Sequence, residues 1–428
     1  MGSNNYRDSS GRPIVVATGL GIVTSLGCGK EDNWKKLTAG VSGIHQIKRF
    51  PTEGLKTKIA GTVDFLFDDK VTAPILSHGL ATLAVEEAIA ESGIGTKGDF
   101  PGPLFAAVPP VEMQWPQWRE LAADCDPAQP VSGPGLIHAA ESGKFRTLYE
   151  PFLFGWVADR IAEQFGTKGM PVSISTACAS GASAIQLGLE AIRRGECDSA
   201  LCLGTDGSVH AESLIRFSLL AALSTQNDVP EAAAKPFSKN RDGFVMAEGA
   251  GAIVLESLEH AKARGARVLG VLAGCGEMAD SFHRTRSSPD GKPIIGCIKN
   301  AIDDAGLSPE DIDYINAHGT STPENDKMEH VGLAAVLGDR LKEVPISSNK
   351  SMIGHTLTAA GAVEAVVTLL TIAHQRIPPT INYKIPDPAI PLDVVPNTAR
   401  DAKVRSAISN SFGFGGQNVS LVLTGEPA

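Results

Sequence analysis

Apolar residues in this chain fall into two kinds of segment. Short apolar runs, such as the β-branched residues 14–17 and the segment 198–204, are typical of buried strands. Longer stretches with apolar residues three and four positions apart, such as residues 77–92, are typical of amphipathic helices. Segments of these two kinds alternate along most of the chain. Since such alternation is typical of α/β layers, we predict an α/β fold with mostly parallel strands.

The two halves of the chain carry a similar pattern. In the first, a strand over residues 172–175 leads through a loop of small residues into a helix over 182–192. In the second, a strand over 344–348 leads through a glycine-containing loop into a helix over 358–374. We interpret this as a weak internal repeat of two similar α/β units that meet back to back. The loops after equivalent strands would then meet at one shared site.

Composition and charge narrow the class of protein. The 428 residues are 43% hydrophobic and 20% charged, which is typical of a globular protein. A formal net charge of −10 argues against general nucleic-acid binding, which needs a basic face. No uninterrupted apolar run reaches ~18 residues, so we predict no membrane span. Seven cysteines without metal-ligand spacing, behind a polar N-terminal stretch that lacks a signal-peptide core, indicate reduced thiols and a cytoplasmic location.

Cys178 lies in a run of small residues between the predicted strand and helix of the first repeat unit. A thiol at a helix N-terminus faces free N–H groups and the positive end of the helix dipole, which favour the thiolate. The small neighbours leave room for a substrate to reach the sulfur. Cysteine is also a common core residue, so the local pattern leaves a nucleophile and a structural thiol both open.

Three later loops carry further candidate chemistry. His318 follows a predicted strand, Lys350 and His355 precede the last long helix, and Phe412 and Phe414 lie in a glycine-rich loop between the last two strands. Each has an ordinary alternative, since a lone histidine is often a satisfied core or surface residue and a glycine loop is often only a tight turn.

Together with Cys178, these loops fit one chemistry. The cysteine would hold an acyl group as a thioester, and two histidines would donate hydrogen bonds to a developing anion or move a proton. A glycine loop can present a backbone N–H to an oxyanion. No carboxylate is placed to orient a single histidine, which disfavours a hydrolase. The glycines at 19, 21 and 27 are predicted to form a turn after the first strand but lack the spacing of a dinucleotide fingerprint, so a nucleotide site is not predicted. Residues 242–256 are predicted to form two strands around a glycine turn at 248–251.

Five motifs, in order and over about residues 14–424, resemble those of the β-ketoacyl-acyl-carrier-protein synthases, most closely the elongating synthase II type. They are Thr-Ala-Cys-Ala-Ser-Gly at 176–181, Lys-Pro-Phe at 235–237 with Arg-Asp-Gly-Phe at 241–244, Ala-His-Gly-Thr-Ser-Thr at 317–322, Asn-Lys-Ser at 349–351 with Gly-His-Thr at 354–356, and Phe-Gly-Phe-Gly-Gly at 412–416. The resemblance implies a thiolase fold, a five-layered α-β-α-β-α sandwich of two similar halves, acting as a homodimer. The expected organisation is a flexible leader over 1–12, an N-terminal half over 13–262 and a C-terminal half over 263–428.

The same resemblance implies residue roles. Cys178 would accept the growing chain from acyl carrier protein, and His318 and His355 would assist decarboxylation of malonyl-carrier protein and stabilise the enolate. The backbone N–H groups of Cys178 and Phe414 would form the oxyanion hole, with Phe414 also acting as a mobile gate. Lys350 resembles the family's buried lysine. This chemistry needs no cofactor and no metal.

Further residues take supporting roles by this resemblance. Thr320 and Thr322 would hold the pantetheine arm, and Glu329 matches the acidic residue that pairs near the lysine. Phe412, Phe217 and His283 are assigned to the walls of the substrate site.

The resemblance weakens where the acyl tail should lie. Residues 109–115 replace a glycine-rich loop, and residues 151–156 differ from the usual phenylalanine-rich stretch. We therefore expect the enzyme to use an unusual acyl chain, and our hypothesis is a very long one. The carrier-docking surface differs as well, which suggests a specialised carrier protein. The positions concerned are Asp68, Asp69, Ala221, Lys144, Arg146, Arg284 and Arg286, each of which is equally explained as solvated surface.

The motifs have three alternative interpretations, each a different class of protein. A degradative thiolase needs a second cysteine near the C-terminus, and none follows Cys297. A non-catalytic partner subunit of the chain-length-factor kind would have lost the cysteine that this chain keeps. A polyketide or nodulation-factor-type ketosynthase uses the same chemistry and stays open as an alternative.

Overall fold

The computed structural model describes residues 6–66, 71–96, 98–123 and 133–425. Its strands are β1 Val15–Thr24, β2 Gly27–Cys28, β3 His45–Gln46, β4 Ile59–Ala60, β5 Leu104–Ala107, β6 Val172–Ile174, β7 Ser199–Asp206, β8 Gly249–Ser257, β9 Gly270–Ala279, β10 Tyr314–Asn316, β11 Ile346–Ser347, β12 Arg376–Ile377, β13 Arg400–Asp401, β14 Ser406–Phe412 and β15 Gln417–Thr424.

The helices alternate with these strands, as the hydrophobic pattern predicts. They are α1 Lys30–Thr38, α2 Ala73–Ser92, α3 Trp115–Ala123, α4 Gly133–Glu141, α5 Arg146–Tyr149, α6 Trp156–Phe165, α7 Ser180–Arg193, α8 Ala211–Leu219, α9 Leu258–Ala263, α10 Lys292–Asp304, α11 Pro323–Leu337, α12 Lys350–Ile353 and α13 Ala360–His374. Short 3-10 turns cover Glu150–Phe152, Pro230–Ala232, Pro309–Asp311, Gly338–Lys342 and Leu357–Ala359.

The main sheet confirms the internal repeat. Its strand order is β11-β10-β14-β15-β9-β1-β8-β7-β5-β6, with β2 beside β1. Numbered within each half of the chain, both sets of strands run 3-2-4-5-1 from the outer edge to the middle. The two halves join where β1 pairs with β9 at Val16–Val271 and Ala17–Gly270. The sheet is mixed rather than mostly parallel, because β8 and β15 each run antiparallel to both of their neighbours.

Helices pack on this sheet in the expected five-layered α-β-α-β-α order. Helix α2, with α6, covers the outer face of the first half, and α10, with α11, covers that of the second. Helices α7 and α13 lie between the halves and contact strands of both. A hydrophobic core fills each of the three resulting interfaces. The layers therefore bury both faces of each half of the sheet, which accounts for nearly continuous apolar strands.

The two central helices approach each other through equivalent glycines. A Cβ added to Gly181 would lie 2.5 Å from the backbone nitrogen of Ala362, and one added to Gly361 would lie 2.4 Å from that of Ala182. Both glycines occupy the second position of their helix. Because the residues before α7 include Cys178, this backbone contact sets the position of the thiol relative to the second half.

Two glycine pairs that the sequence suggests are turns lie inside strands instead. Gly19 and Gly21 are part of β1, where an added Cβ on either would come within 1.9 Å of a backbone oxygen of α2. Gly249 and Gly251 are part of β8, and Gly251 faces the backbone of α13. The prediction of turns at these positions was wrong, since the glycines serve close helix-to-strand packing rather than chain reversal.

Two further features emerge from the structure. The segment over 115–149 contains α3, α4 and α5 with a small core of their own. The segment Leu357–His374 is long and apolar enough to cross a membrane, although the sequence suggested no such run, but 89% of it is buried inside the protein. It is thus the central core helix of the fold with the turn before it.

Candidate active site

Cys178 lies on a tight turn between β6 and α7. Ala177 has a positive φ of 49°, which directs the chain sharply into the helix. The Ser180 hydroxyl stabilises this turn, accepting from the Thr176 N–H at 2.7 Å and donating to the Ala177 carbonyl at 2.6 Å. The glycine-rich loop packs closely on this turn, since a Cβ added to Gly413 would lie 2.7 Å from the Thr176 carbonyl oxygen.

The thiol is buried, and burial raises its pKa to about 11, against a smaller lowering by the Phe414 N–H and by Lys350. The sequence-based expectation of a resting thiolate is therefore wrong for this geometry. The free-energy cost of burying a thiolate away from water exceeds the stabilisation that the helix N-terminus gives it. The resting sulfur is protonated at neutral pH, and its proton must leave when it attacks.

His318 and His355 lie beside the thiol. One ligand-type atom from each of Cys178, His318 and His355 falls within 4.8 Å of the other two. Burial, followed by the charge of Lys350, holds the pKa of both imidazoles well below the usual value, so both are neutral at pH 7. A thiolate with two imidazoles could also bind zinc, but the neighbouring Lys350 cation disfavours a second positive charge.

The tautomer of His355 follows from its backbone contacts. Its Nδ1 accepts the Leu357 N–H at 3.3 Å, so Nε2 carries the proton. That Nε2 is buried without a partner among the described residues. A buried donor without an acceptor is costly, which makes it a ready hydrogen-bond donor to an oxygen placed in the site.

Lys350 joins the histidines to the central helix. Its Nζ lies 3.4 Å from Nδ1 of His318 and forms a buried ion pair with Glu364 of α13. Burial raises the pKa of Glu364 to about 7, although Lys350 opposes the rise. The acidic partner of Lys350 is thus Glu364 and not Glu329.

Glu329 has a different contact set. Its carboxylate accepts the backbone N–H groups of His318 and Gly319 at 2.9 and 2.8 Å, and the Asn410 amide at 3.1 Å. It is fully buried, which raises its pKa to about 7. Glu329 therefore holds the backbone of the histidine loop rather than the lysine.

The glycine-rich loop closes the site from the third side. The His318 imidazole hydrogen-bonds the Phe412 carbonyl, and its ring meets the Phe412 ring edge-on at 5.8 Å. The Phe414 N–H points at the Cys178 sulfur. The Phe414 ring is half-buried and lines two cavities, one on each side of it. A ring in this position can separate the two spaces or connect them.

The entrance cavity, of about 570 Å³, leads from solvent to the thiol. Thr320, Thr322 and His283 line it, and the two threonine hydroxyls are hydrogen-bonded at 2.9 Å. The tail cavity, of about 360 Å³, lies beyond Phe414 and is lined mainly by apolar surface. Phe217 borders both cavities.

Sequence reasoning missed Glu364, and it placed Phe244 in a motif without giving it a role. Glu364 is the only charged residue in α13 before its C-terminal histidine, and one carboxylate in an apolar helix could have signalled its role. The Phe244 ring contacts the His355 ring edge-on at 5.3 Å. No local pattern announces that contact, because it joins residues more than a hundred positions apart.

The carrier-facing differences are partly located. Asp68 and Asp69 lie outside the described residues. Arg284 and Arg286 are exposed at the rim of the entrance cavity, and Ala221 also borders it. Lys144 and Arg146 do not line either cavity: the Lys144 ammonium lies 5.0 Å from the Phe145 ring centre, and Arg146 pairs with Glu150.

Comparison with known proteins places this arrangement in a family. Residues 12–261 match the β-ketoacyl synthase N-terminal domain, and residues 269–384 match the β-ketoacyl synthase C-terminal domain. The chain therefore belongs to the β-ketoacyl synthase family, enzymes of the acyltransferase class with a thiolase-like fold.

Individual relatives narrow the relationship. The chain is 37% identical over 424 residues to a 3-oxoacyl-[acyl-carrier-protein] synthase 2 of Coxiella burnetii, covering 96% of this chain and 98% of the relative. It is 34% identical over 432 residues to a putative polyketide β-ketoacyl synthase 1 of Streptomyces cyaneus, covering 96% and 98%. A similar solved structure is a ketosynthase in complex with its type II polyketide acyl-carrier protein, with a TM-score of 0.86, 33% identity and coverage of 97% and 100%.

Proposed function

We propose that this protein extends fatty acyl chains by two carbons, through decarboxylating condensation of malonyl-acyl carrier protein with an acyl chain held on Cys178. Its similarity over nearly the full length to 3-oxoacyl-[acyl-carrier-protein] synthase 2 enzymes supports an elongating synthase. The observation that carries the mechanism is the buried cluster of Cys178, His318 and His355 in the wall of the entrance cavity, with Cys178 also lining the tail cavity.

In the first step the Cys178 sulfur attacks the thioester carbonyl of the acyl carrier. A carbon–sulfur bond forms, the bond to the pantetheine sulfur breaks, and the thiol proton ends on that leaving sulfur. The Phe414 N–H, which points at Cys178, is placed to bind the oxyanion. The raised pKa of the resting thiol means that proton loss accompanies attack rather than preceding it.

In the second step malonyl-carrier protein enters through the same cavity. Its terminal carbon–carbon bond breaks, carbon dioxide leaves, and the electron pair passes to the thioester oxygen as an enolate. The protonated Nε2 of His355 donates to that oxygen. Neutral His318, which lies in the same cluster, assists. The enolate carbon then attacks the acyl-cysteine, the new carbon–carbon bond forms, and the departing Cys178 thiolate takes a proton from solvent.

Several other assignments belong to this proposal. Thr320 and Thr322 bind the pantetheine arm, with Phe412, Phe217 and His283 in the surrounding walls. No metal or organic cofactor takes part. We place the enzyme in the cytoplasm, with a leader over 1–12 and halves over 13–262 and 263–428; the repeated strand order supports this division. Residues 7–12 form a turn that an ion pair between Arg12 and Asp304 ties to α10.

We also propose a homodimer, which the open edge of the sheet supports. Strand β6 pairs with β5 on one side only, and no described strand covers its other side. Val172 on this edge and Met170 just before it are exposed. Since an unpaired edge is a template for another strand, pairing of β6 with its copy in a second chain would cover it.

The tail cavity supports an unusual acyl chain. The loop that departs from the synthase II pattern supplies Pro109, Pro110 and Val111 to its wall. We propose a very long chain and a dedicated carrier protein. Elongation assays over a series of chain lengths and with different carriers test this; a profile equal to that of housekeeping synthases would refute it.

The primary test replaces the nucleophile. Cys178→Ala should abolish transfer of the acyl group to the protein, as measured by intact-protein mass spectrometry after incubation with acyl-carrier protein. Cys202→Ala, another buried cysteine remote from the cavities, is the matched control and should load normally. Unchanged condensation in Cys178→Ala would refute the proposal.

A polyketide ketosynthase is the second candidate. The similarity to Streptomyces polyketide synthases is nearly as high as that to the fatty acid enzymes. Mass spectrometry of the group on Cys178 in protein from its own host separates the two. A fully reduced chain supports fatty acid synthesis, and a chain with retained ketones supports polyketide synthesis.

A further inference from the structure

The wall of the tail cavity is formed in part by helix α8 and in part by the loop at residues 109–114. Helix α8 and the residue that follows it contribute one face, through Ser213, Arg216, Phe217 and Leu220. Phe217 and Leu220 also border the entrance cavity, whereas Ser213 and Arg216 border only the tail cavity. The cavity therefore extends along α8 toward its N-terminus, over about 10 Å for the seven positions from Leu220 to Ser213.

The loop at residues 109–114 forms another part of the wall of the tail cavity. The loop and α8 are joined by an ion pair between Glu112 and Arg216 at 3.2 Å and by a hydrogen bond from the Trp115 N–H to Glu212 at 2.7 Å. Glu212 is in turn fixed by His210 at 2.9 Å. Glu212 is therefore held by both Trp115 and His210. The ion pair between Glu112 and Arg216 lies next to this contact and is exposed to solvent.

This closure is weak by physical criteria. The Arg216 side chain is 47% exposed and that of Glu112 is 73% exposed. Ion pairs in such surroundings contribute about 0–1 kcal/mol and are screened by salt. Separating the pair therefore costs little free energy compared with separating buried side chains.

We propose that the Glu112–Arg216 pair is a latch on the outer wall of the tail cavity and sets the longest acyl chain that the enzyme holds. Closed, it confines the tail to the cavity. Open, it lets the distal methylene groups pass between α8 and the 109–114 loop. This inference deepens the proposed function and rests on it, since it takes the occupant of the cavity to be the acyl chain on Cys178.

The experiment measures the rate of acyl transfer to Cys178 from carrier proteins loaded with saturated chains of graded length. The readout is the ratio of the rate for a chain longer than the cavity to that for a short one, with the same carrier, so that carrier docking cancels. Glu112→Gln and Arg216→Gln should each raise this ratio about two- to five-fold, because an exposed pair contributes up to ~1 kcal/mol and 1.4 kcal/mol is tenfold. Arg216→Lys keeps the charge and should stay near the wild-type ratio.

The dependence of this ratio on salt concentration is a second measurement. A merely structural role of the ion pair would not change it. In the wild type the ratio should rise with ionic strength as the pair is screened, and this rise should vanish in both Gln variants. The matched control is Arg376→Gln, which breaks an ion pair with Asp401 of similar exposure, 41% and 79%, far from the cavity. It should change neither the ratio nor its salt dependence.

The outcomes separate the latch from the enzyme assignment. A wild-type protein that loads no acyl chain of any length on Cys178 refutes the proposed function and removes the occupant of the cavity. Normal loading with an unchanged ratio in the Gln variants, or an equal loss at every length, overturns the latch and leaves the proposed function intact.

Discussion

Lys350 and Glu364 form an ion pair in which only 4% and 3% of the side-chain areas are exposed. The lysine belongs to the short helix after β11, and the glutamate to the central helix α13. Through Lys350 Nζ, 3.4 Å from Nδ1 of His318, the central layer of the fold sets the charge around the catalytic cluster. Two consequences can be measured, one on stability and one on pH dependence.

Lys350→Met should lower the free energy of unfolding by about 3–5 kcal/mol, because it leaves the Glu364 carboxylate buried without its partner. Denaturant titration measures this. The double variant Lys350→Met with Glu364→Leu removes both charges and should recover much of the loss. A double variant as unstable as the single one would show that packing, and not the unpaired charge, is responsible.

The same substitution should change the pH dependence of malonyl decarboxylation. Lys350 lowers the pKa of His318 and His355, so removing its charge raises both. The histidines must be neutral to act, and activity falls as pH drops through their pKa. The acidic limb of the rate profile should therefore move to higher pH in Lys350→Met. An unmoved limb would contradict the assignment of that limb to these histidines.

His355 should act as a hydrogen-bond donor rather than as a base. His355→Ala removes the Nε2–H and should slow decarboxylation about 10²–10³-fold, the usual effect of losing one oxyanion donor. His355→Asn keeps an N–H donor and should retain more activity than His355→Ala. Acyl transfer to Cys178 should be much less affected in both variants. Equal decarboxylation rates in the Asn and Ala variants would exclude the donor role.

Cys178 should show the reactivity of a protonated thiol in the resting enzyme. Because its pKa is raised to about 11, its thiolate fraction increases with pH through the whole neutral range. Alkylation by iodoacetamide, followed on the Cys178 peptide by mass spectrometry, should rise about tenfold per pH unit between pH 7 and 9. A plateau below pH 8 would indicate a resting thiolate instead.

The glycine contact between the central helices should be intolerant of a side chain. Gly181→Ala places a Cβ 2.5 Å from backbone of α13, so the helices must separate, at a cost of about 1–3 kcal/mol. Gly296→Ala is the matched control, since its Cβ meets only the flexible Met278 side chain and sits in a helix where alanine is preferred. Thermal denaturation should separate the two variants clearly; equal melting temperatures would argue against a rigid contact.

Local patterns in the sequence determined much of this protein. The alternation of strands and helices, the repeat of the 172–192 segment at 344–374 and the small residues around Cys178 follow from hydrophobic periodicity and side-chain size, which act over neighbouring positions. These were sufficient to predict two similar α/β halves, and the five motifs were sufficient to indicate the family. The choice of Cys178, His318 and His355 as candidates also came from sequence.

Only the tertiary structure decided the relations between distant residues. It placed Gly19 and Gly21 inside a strand, because what they contact is α2, about seventy positions away. In the structure Lys350 pairs with Glu364 instead of Glu329, and the resting Cys178 thiol is protonated. The protonation follows from burial and from the charges of neighbouring elements, which set pKa values. The Glu112–Arg216 closure likewise joins residues 104 positions apart. Such contacts depend on packing across layers, which no local pattern along the chain encodes.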